Sequence, residues 1–311
     1  MKMKRILAGI IAALFFVSPG FAGPAKFKLE DANDITKFAK STLDLKLKKL
    51  KSLGIKKLVI MECYGEYVTS KEVTDSVASQ RAAASSAASQ GRMFYTVKTK
   101  TDSLELDKDF YTNTSNRVYT AVKEVFEENG IEIISKEVLQ ANEAYKNFNL
   151  EEEKNGRGVS SGVYKPTVVE KSQKVSTTGL GLFPGPIGMI KVVMNLGEIT
   201  NSVGADGFLQ INFKVDKSKK DQPVLDGFNV LLSADLRSQE VGFQGNKTMR
   251  YDFYTQWEPI VTLKNSLLST EEVLDGENGS FNVAKYDKAL MDMLYSIIGG
   301  IDAGIKQTLS K

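Results

Sequence analysis

The chain has 311 residues, with 41 lysines and arginines against 38 aspartates and glutamates, no histidine and one cysteine. Without histidine there is no Ser-His-Asp or Cys-His nucleophile pair, no His-containing zinc site and no imidazole pH switch. A single thiol also excludes an intrachain disulfide and a zinc site of four thiolates. A hydrophobic fraction of 42% is enough for a sizeable buried core.

The chain opens with Met1-Lys2-Met3-Lys4-Arg5, a short positive segment. Ile6 to Val17 follows without a charge, and Ser18-Pro19-Gly20-Phe21-Ala22 closes the run with small residues at Gly20 and Ala22. This order of charge, apolar stretch and small residues is that of a secretory signal, with cleavage expected after Ala22. A membrane anchor is the alternative, but a spanning helix needs about 20 apolar residues, and Pro19 interrupts this one. No cysteine adjoins the site to carry a lipid. Lys2, Lys4 and Arg5 leave with the leader, so the remainder balances at 38 basic against 38 acidic residues. That balance offers no global basic excess for nucleic acid.

Residues 23–56 read as a lysine-rich amphipathic helical segment. Ile35, Phe38, Thr42, Leu43, Leu50 and Leu53 recur at roughly helical spacing among lysines 37, 40, 46, 48, 49 and 51, with Gly54 as a stop. A solvated basic face on a packed helix is the simpler reading, and contact with anionic lipid or an acidic partner the sharper one. Lys57 to Tyr64 reads as a buried strand holding Cys63 as a small apolar residue. Residues 65–112 read as an insertion. Its low-complexity stretch 78–91 is expected to be a loose or weakly helical surface segment, and Phe94 to Lys100 a short strand.

Ser115 is placed to cap a helix carrying Val118, Ala121, Val122, Val125 and Phe126, and Gly130 to end it. Ile131 to Ile134 reads as a strand. Ser135 then caps a second helix with Val138, Leu139, Asn142, Tyr145 and Phe148 on its face. Residues 150–185 are polar and poorly periodic and read as a second long insertion. Within it, Thr178 to Gly185 is glycine-rich but lacks the spacing of a dinucleotide or phosphate loop, and Pro184 has no N–H to offer an anion. It reads as a turn-rich loop.

Ile187 to Val203 resumes a helical pattern. Leu209, Ile211, Phe213 and Val215 alternate with Gln210, Asn212 and Lys214, and Phe228 to Leu236 alternates again, so the pair reads as a hairpin with one buried face. A third strand is expected from Arg250 to Trp257. Val283 to Leu309 reads as a long helix with Leu290, Met293, Leu294, Ile297, Ile301, Ile305 and Leu309 as its stripe, kinked at Gly299-Gly300. The fold class is α/β (α+β): a layered domain at 57–311 with a mixed sheet including an antiparallel hairpin, flanked by helices, with insertions at 65–112 and 150–185.

The order of parts resembles a known domain. A strand at Lys57–Tyr64, a helix ending in Glu128-Asn129-Gly130, a strand at Ile131, a helix leading to Val203-Gly204-Ala205-Asp206-Gly207, a hairpin and a final helix are similar to the domain shared by the TolB N-terminal region and the CsgG curli-secretion family. The resemblance covers about residues 55–311 without the two insertions. It implies an envelope fold with no shared chemistry, used for docking or self-assembly. The N-terminal lipid-anchoring cysteine usual in CsgG-like proteins is absent, and the charged, Ala/Ser-rich insertion at 65–112 departs from membrane-spanning pore hairpins, so no pore is carried over.

The functional expectation is a non-catalytic, exported, extracytoplasmic binding or assembly protein. Its partners are an envelope protein or further copies of itself, with no cofactor, no metal, no nucleic acid and no assigned catalytic residue. Peripheral membrane contact, through the 94–100 strand and the apolar 181–194 stretch, is a further expectation. The alternative is an enzyme using carboxylates or a divalent metal, for which Asp206 and Asp235 are the candidate acids; their simpler roles are a turn residue and an exposed strand position.

Overall fold

Leu209, Ile211, Phe213 and Val215 are all buried, while Gln210 and Lys214 keep partial exposure. This period-two pattern builds β8 (Gly207–Lys217) at the centre of the molecule. The computed structural model describes residues 23–78, 95–104, 106–162, 165–183, 186–234, 236–243, 247–254, 258–275 and 279–310. Residues 1–22, read as a secretory signal, the stretch 79–94 and Asp235 lie outside them.

In chain order the earlier elements are β1 (Ala25–Phe27), α1 (Ile35–Thr42), β2 (Leu43–Leu45), α2 (Lys48–Ser52), β3 (Lys57–Ala78), β4 (Tyr95–Ser103), α3 (Lys108–Glu128), β5 (Glu132–Ile134), α4 (Lys136–Ala141), α5 (Glu143–Lys146), β6 (Glu153–Gly162), β7 (Lys165–Ser176) and α6 (Pro186–Val203). After β8 come β9 (Pro223–Ser233), β10 (Leu236–Phe243), β11 (Lys247–Tyr254), β12 (Glu258–Leu263), β13 (Leu267–Ser269), β14 (Leu274–Asp275), β15 (Ser280–Phe281) and α7 (Val283–Leu309). Eleven strands form one mixed sheet whose main path runs β1-β13-β9-β8-β3-β7-β6. The β3–β8 and β3–β5 pairs are parallel, and the β8–β9 and β3–β7 pairs antiparallel.

Helices α3 and α7 pack against each other and on this sheet, and α1 lies along α7. Asn282 starts α7 by accepting the Lys285 N–H at 3.0 Å. Leu290, Met293, Leu294, Ile297, Ile301 and Ile305 are buried from it, each worth about 2 kcal/mol of apolar burial. One continuous buried cluster runs from Phe27 to Ile305. No helix among the described residues is long and apolar enough to cross a membrane.

The α/β class, the β8–β9 hairpin, the strand at 132–134 and the final helix stand as the sequence predicts. Several elements differ. The 23–56 segment is not one helix: β1 pairs with β13, a 3-10 turn follows at Leu29–Ala32, and β2, paired with β12, separates two short helices as the sheet draws in the backbone. Asp107, not Ser115, caps α3, accepting the Phe110 N–H at 2.6 Å; Ser115 is buried inside the helix. The second helix breaks at Asn142, whose side chain caps α5, and Val138 is 48% exposed instead of facing the core. The strand expected at 250–257 begins at Lys247 and pairs only with β10, in a separate two-stranded sheet. Glycines 299 and 300 do not interrupt α7, and α1 packs closely over them. Residues 65–78, 153–162 and 165–176, read as parts of insertions, are strand.

Candidate functional site

A typical strand has about 5–6 residues, and β3 has 22. Its two sides change partners along its length. From Leu58 to Tyr67 one side holds β8, and from Ser70 to Ala78 that side holds β4. The other side holds β5 from Lys57 to Val59 and β7 from Tyr64 to Thr74. The second half of β3 is thus the spine of a four-stranded antiparallel extension, β4-β3-β7-β6, continuous with the body sheet. The outer sides of β4 and β6 have no strand partner among the described residues. Unpaired edges present rows of backbone N–H and C=O groups ready to bond another strand.

The root of this extension is fixed on both faces. On one face Tyr67 stacks on Tyr111 of α3 with ring centroids 4.3 Å apart. Its hydroxyl donates to the Tyr111 carbonyl at 3.1 Å. Ser115 accepts the Gly65 N–H at 3.3 Å and donates to the Val175 carbonyl at 2.9 Å, which ties α3 to β3 and β7 together.

The opposite face carries a row of cross-strand ion pairs. Lys71 of β3 bridges Asp216 of β8 and Glu170 of β7, the latter at 3.5 Å. Lys214 of β8 pairs with the same Glu170. Glu66 binds Lys174 at 3.3 Å and accepts the Ser172 hydroxyl at 2.9 Å. Burial pulls the Lys71 and Lys214 ammonium groups toward lower pKa; carboxylates, Asp216 foremost for Lys71 and Glu170 for Lys214, outweigh it and hold both above the ordinary value. Three acids and three bases alternate, so the row is neutral and matches strand to strand.

No protein-family model, curated protein or solved structure matches this chain. The geometry alone therefore carries the reading of the site.

Between β7 and α6 the segment 177–183 is strapped down almost group by group. Thr177 donates its N–H to the Cys63 carbonyl, Asn116 pairs with Thr178, Gln140 donates to the Gly179 carbonyl, and Gly181 donates to the Tyr145 hydroxyl. The strap ends on Glu62, which is 2% exposed and accepts the Phe183 N–H at 2.6 Å and the Gln210 amide. Burial raises the Glu62 carboxyl from 4.5 to about 7, against the lowering effect of Gln210, Phe183 and Lys174. What reads in sequence as a turn-rich glycine loop is, through Phe183, a strap hydrogen-bonded to β3, α3, α4 and α5. Leu180, Leu182 and Phe183 of the apolar 181–194 region and its approach are buried.

Asp206 accepts the backbone N–H groups of Lys56 and Lys57, each at 2.8 Å, and so joins the starts of β3 and β8. It stands apart from the ion-pair row, on the strand-start side of the sheet. Cys63 is fully buried and its thiol is pushed up to about 12 by that burial. Two open depressions flank the body. One of about 550 Å³ has Asp31 and Asp34 on its wall, both occupied by backbone N–H groups of Lys28 and Lys37. The other, about 650 Å³, has Asp287 bound to Arg117. Among the described residues no three His, Cys, Asp or Glu side chains converge for a metal ion.

The short strand read at 94–100 stands as β4, but the outer half of β3, the β6–β7 hairpin and the charged row were not legible, because neither face of the extension is uniformly apolar in sequence and no hydrophobic period marks it. A signal was present in β-branched content, as in Tyr95-Thr-Val-Lys-Thr-Lys-Thr101 and Thr167-Val-Val169, and in the period-two polar series Gln210, Asn212, Lys214, Asp216.

Proposed function

We propose that the chain is an exported, non-catalytic assembly protein of the cell envelope, cleaved near Ala22, that pairs with further copies through its hairpin sheet. One observation carries the reading: two hairpins distant in sequence bond into one sheet whose outer edges are both unpaired among the described residues. β4 and β6 run antiparallel to each other, so β4 of one copy against β6 of the next continues the same antiparallel pattern. The two edges differ, so the contact is heterologous and propagates to a ring or a filament according to whether the rotation closes. Lysines 98 and 100 on β4 disfavour indiscriminate edge pairing, which favours a register-matched partner. The element order resembling the TolB and CsgG domain supports an envelope setting, as do the leader-like residues 1–22.

The test uses the chain beginning at Gly23 with cysteines introduced at Thr99 and Val159; buried Cys63 stays unreactive. A bifunctional maleimide is expected to give a ladder of covalent multimers from dilute native protein. A strict monomer in sedimentation, with no ladder, sinks the reading. Crosslinks at the same edges to a different envelope protein would replace self-association by docking. Export is checked separately, by the mass of the processed chain.

A further inference from the structure

At the pole where β3 begins, residues 46–57 contain six lysines and no acid. Leu47, Leu50 and Ile55 are buried and anchor this segment. The turn after α2 is closed by Leu53 N–H to the Lys49 carbonyl and Ile55 N–H to the Leu50 carbonyl, both 3.0 Å. The lysines therefore project from a fixed scaffold.

Three of them are engaged, Lys46 by Asp44, Lys49 by Glu258 and Lys57 by Glu132. Lys48, Lys51 and Lys56 are exposed and have no carboxylate partner among the described residues. Asp206, the nearby acid, is taken up by backbone N–H groups. Leu53, 47% exposed, caps the C-terminus of α2 between Lys51 and Lys56 in the chain.

We propose that this pole is a docking surface for an anionic membrane, with Lys48, Lys51 and Lys56 meeting lipid headgroups and Leu53 entering the interface between them. One feature favours a lipid surface over an acidic polypeptide: an exposed leucine between unpaired lysines in one short segment matches the apolar-plus-basic pattern of peripheral membrane contacts. A strand of 22 residues spans about 70 Å at its usual rise, so a body resting on this pole carries the free hairpin edges well away from the lipid. The proposal stands independently of whether those edges pair between copies.

The experiment is co-sedimentation of the chain beginning at Gly23 with vesicles of phosphatidylglycerol and phosphatidylcholine, against phosphatidylcholine alone. Binding is expected only to the anionic vesicles, falling steeply with salt as charges are screened beyond about 8 Å. Lys48→Glu with Lys51→Glu is expected to weaken it more than about twenty-fold, at roughly five-fold or more per lysine. Lys219→Glu with Lys220→Glu makes the same charge change in the exposed β8–β9 turn and is expected to leave binding intact. Leu53→Ser is expected to weaken the residual binding at high salt. Absence of binding by the unaltered chain, or equal loss in both double variants, overturns the proposal. Binding to polyglutamate but not to vesicles overturns it too, and assigns the patch to an acidic polypeptide.

Discussion

Glu62 is the side chain whose environment departs furthest from water among the acids of the β3 core. Its carboxyl is buried and raised to about 7, whereas in the unfolded chain it takes the ordinary 4.5. Between those values the folded chain holds a proton that the unfolded chain has released. Its stabilising contribution is therefore full below pH 4.5 and is lost as pH rises through 7. The difference is on the order of 3 kcal/mol. Glu62→Gln keeps an oxygen for the Phe183 N–H and removes the charge, so denaturant melts at pH 8 are expected to show a more stable protein. The slope between pH 5 and 7 is expected to flatten. A less stable variant at pH 8 would mean instead that the carboxylate is held as the ion-pair partner of Lys174. Asp206 acts at the same scale by a different route. Asp206→Ala frees two backbone N–H groups and is expected to lower stability by about 1–2 kcal/mol, whereas Asp206→Asn retains most of it.

Among the elements, α7 was the most legible in sequence, since its apolar stripe repeats with the helical period from Leu290 to Ile305 and needs no tertiary information to be seen. Its glycines were not legible. A Cβ on Gly300 would lie 3.1 Å from the Ala39 Cβ and 3.1 Å from the Leu43 Cδ1, so the glycine seats α1 and β2 instead of bending the helix. Gly300→Val is expected to lower stability by about 1–3 kcal/mol through overpacking. Gly300→Ala is expected to be near neutral, its helix-propensity gain of about 1 kcal/mol offsetting a small displacement. A thermal melt of the two variants separates packing from propensity: equal stabilisation of both would show that α1 does not depend on this contact. The hairpins β3–β4 and β6–β7 lie at the opposite extreme: the start of β3 and a short strand at 94–100 were legible, but the outer half of β3 and both strands of β6–β7, mixed in polarity and rich in glycine, read as insertion.

For the whole molecule, one buried cluster joins elements from both ends of the chain, while the extension leaves that core beyond Val68. If the free edges pair between copies, the folded state is linked to association, and the midpoint of thermal unfolding is expected to rise with protein concentration. A midpoint independent of concentration over a hundred-fold range would leave the extension a feature of the monomer. The amino-acid sequence by itself determined the mixed α/β class, the central β8–β9 hairpin, the closing helix, the lysine-rich run before β3 and the absence of any imidazole or paired-thiol chemistry. Each of these follows from local periodicity or from residue counts. Only the tertiary structure decided that residues 65–78, 95–103, 153–162 and 165–176 join as one sheet, that the segment 177–183 is a strap ending on Glu62, and that Leu53 stays exposed beside unpaired lysines. Strand pairing across about a hundred residues and the choice of which side chains stay in water depend on contacts remote in sequence, and no local pattern encodes them.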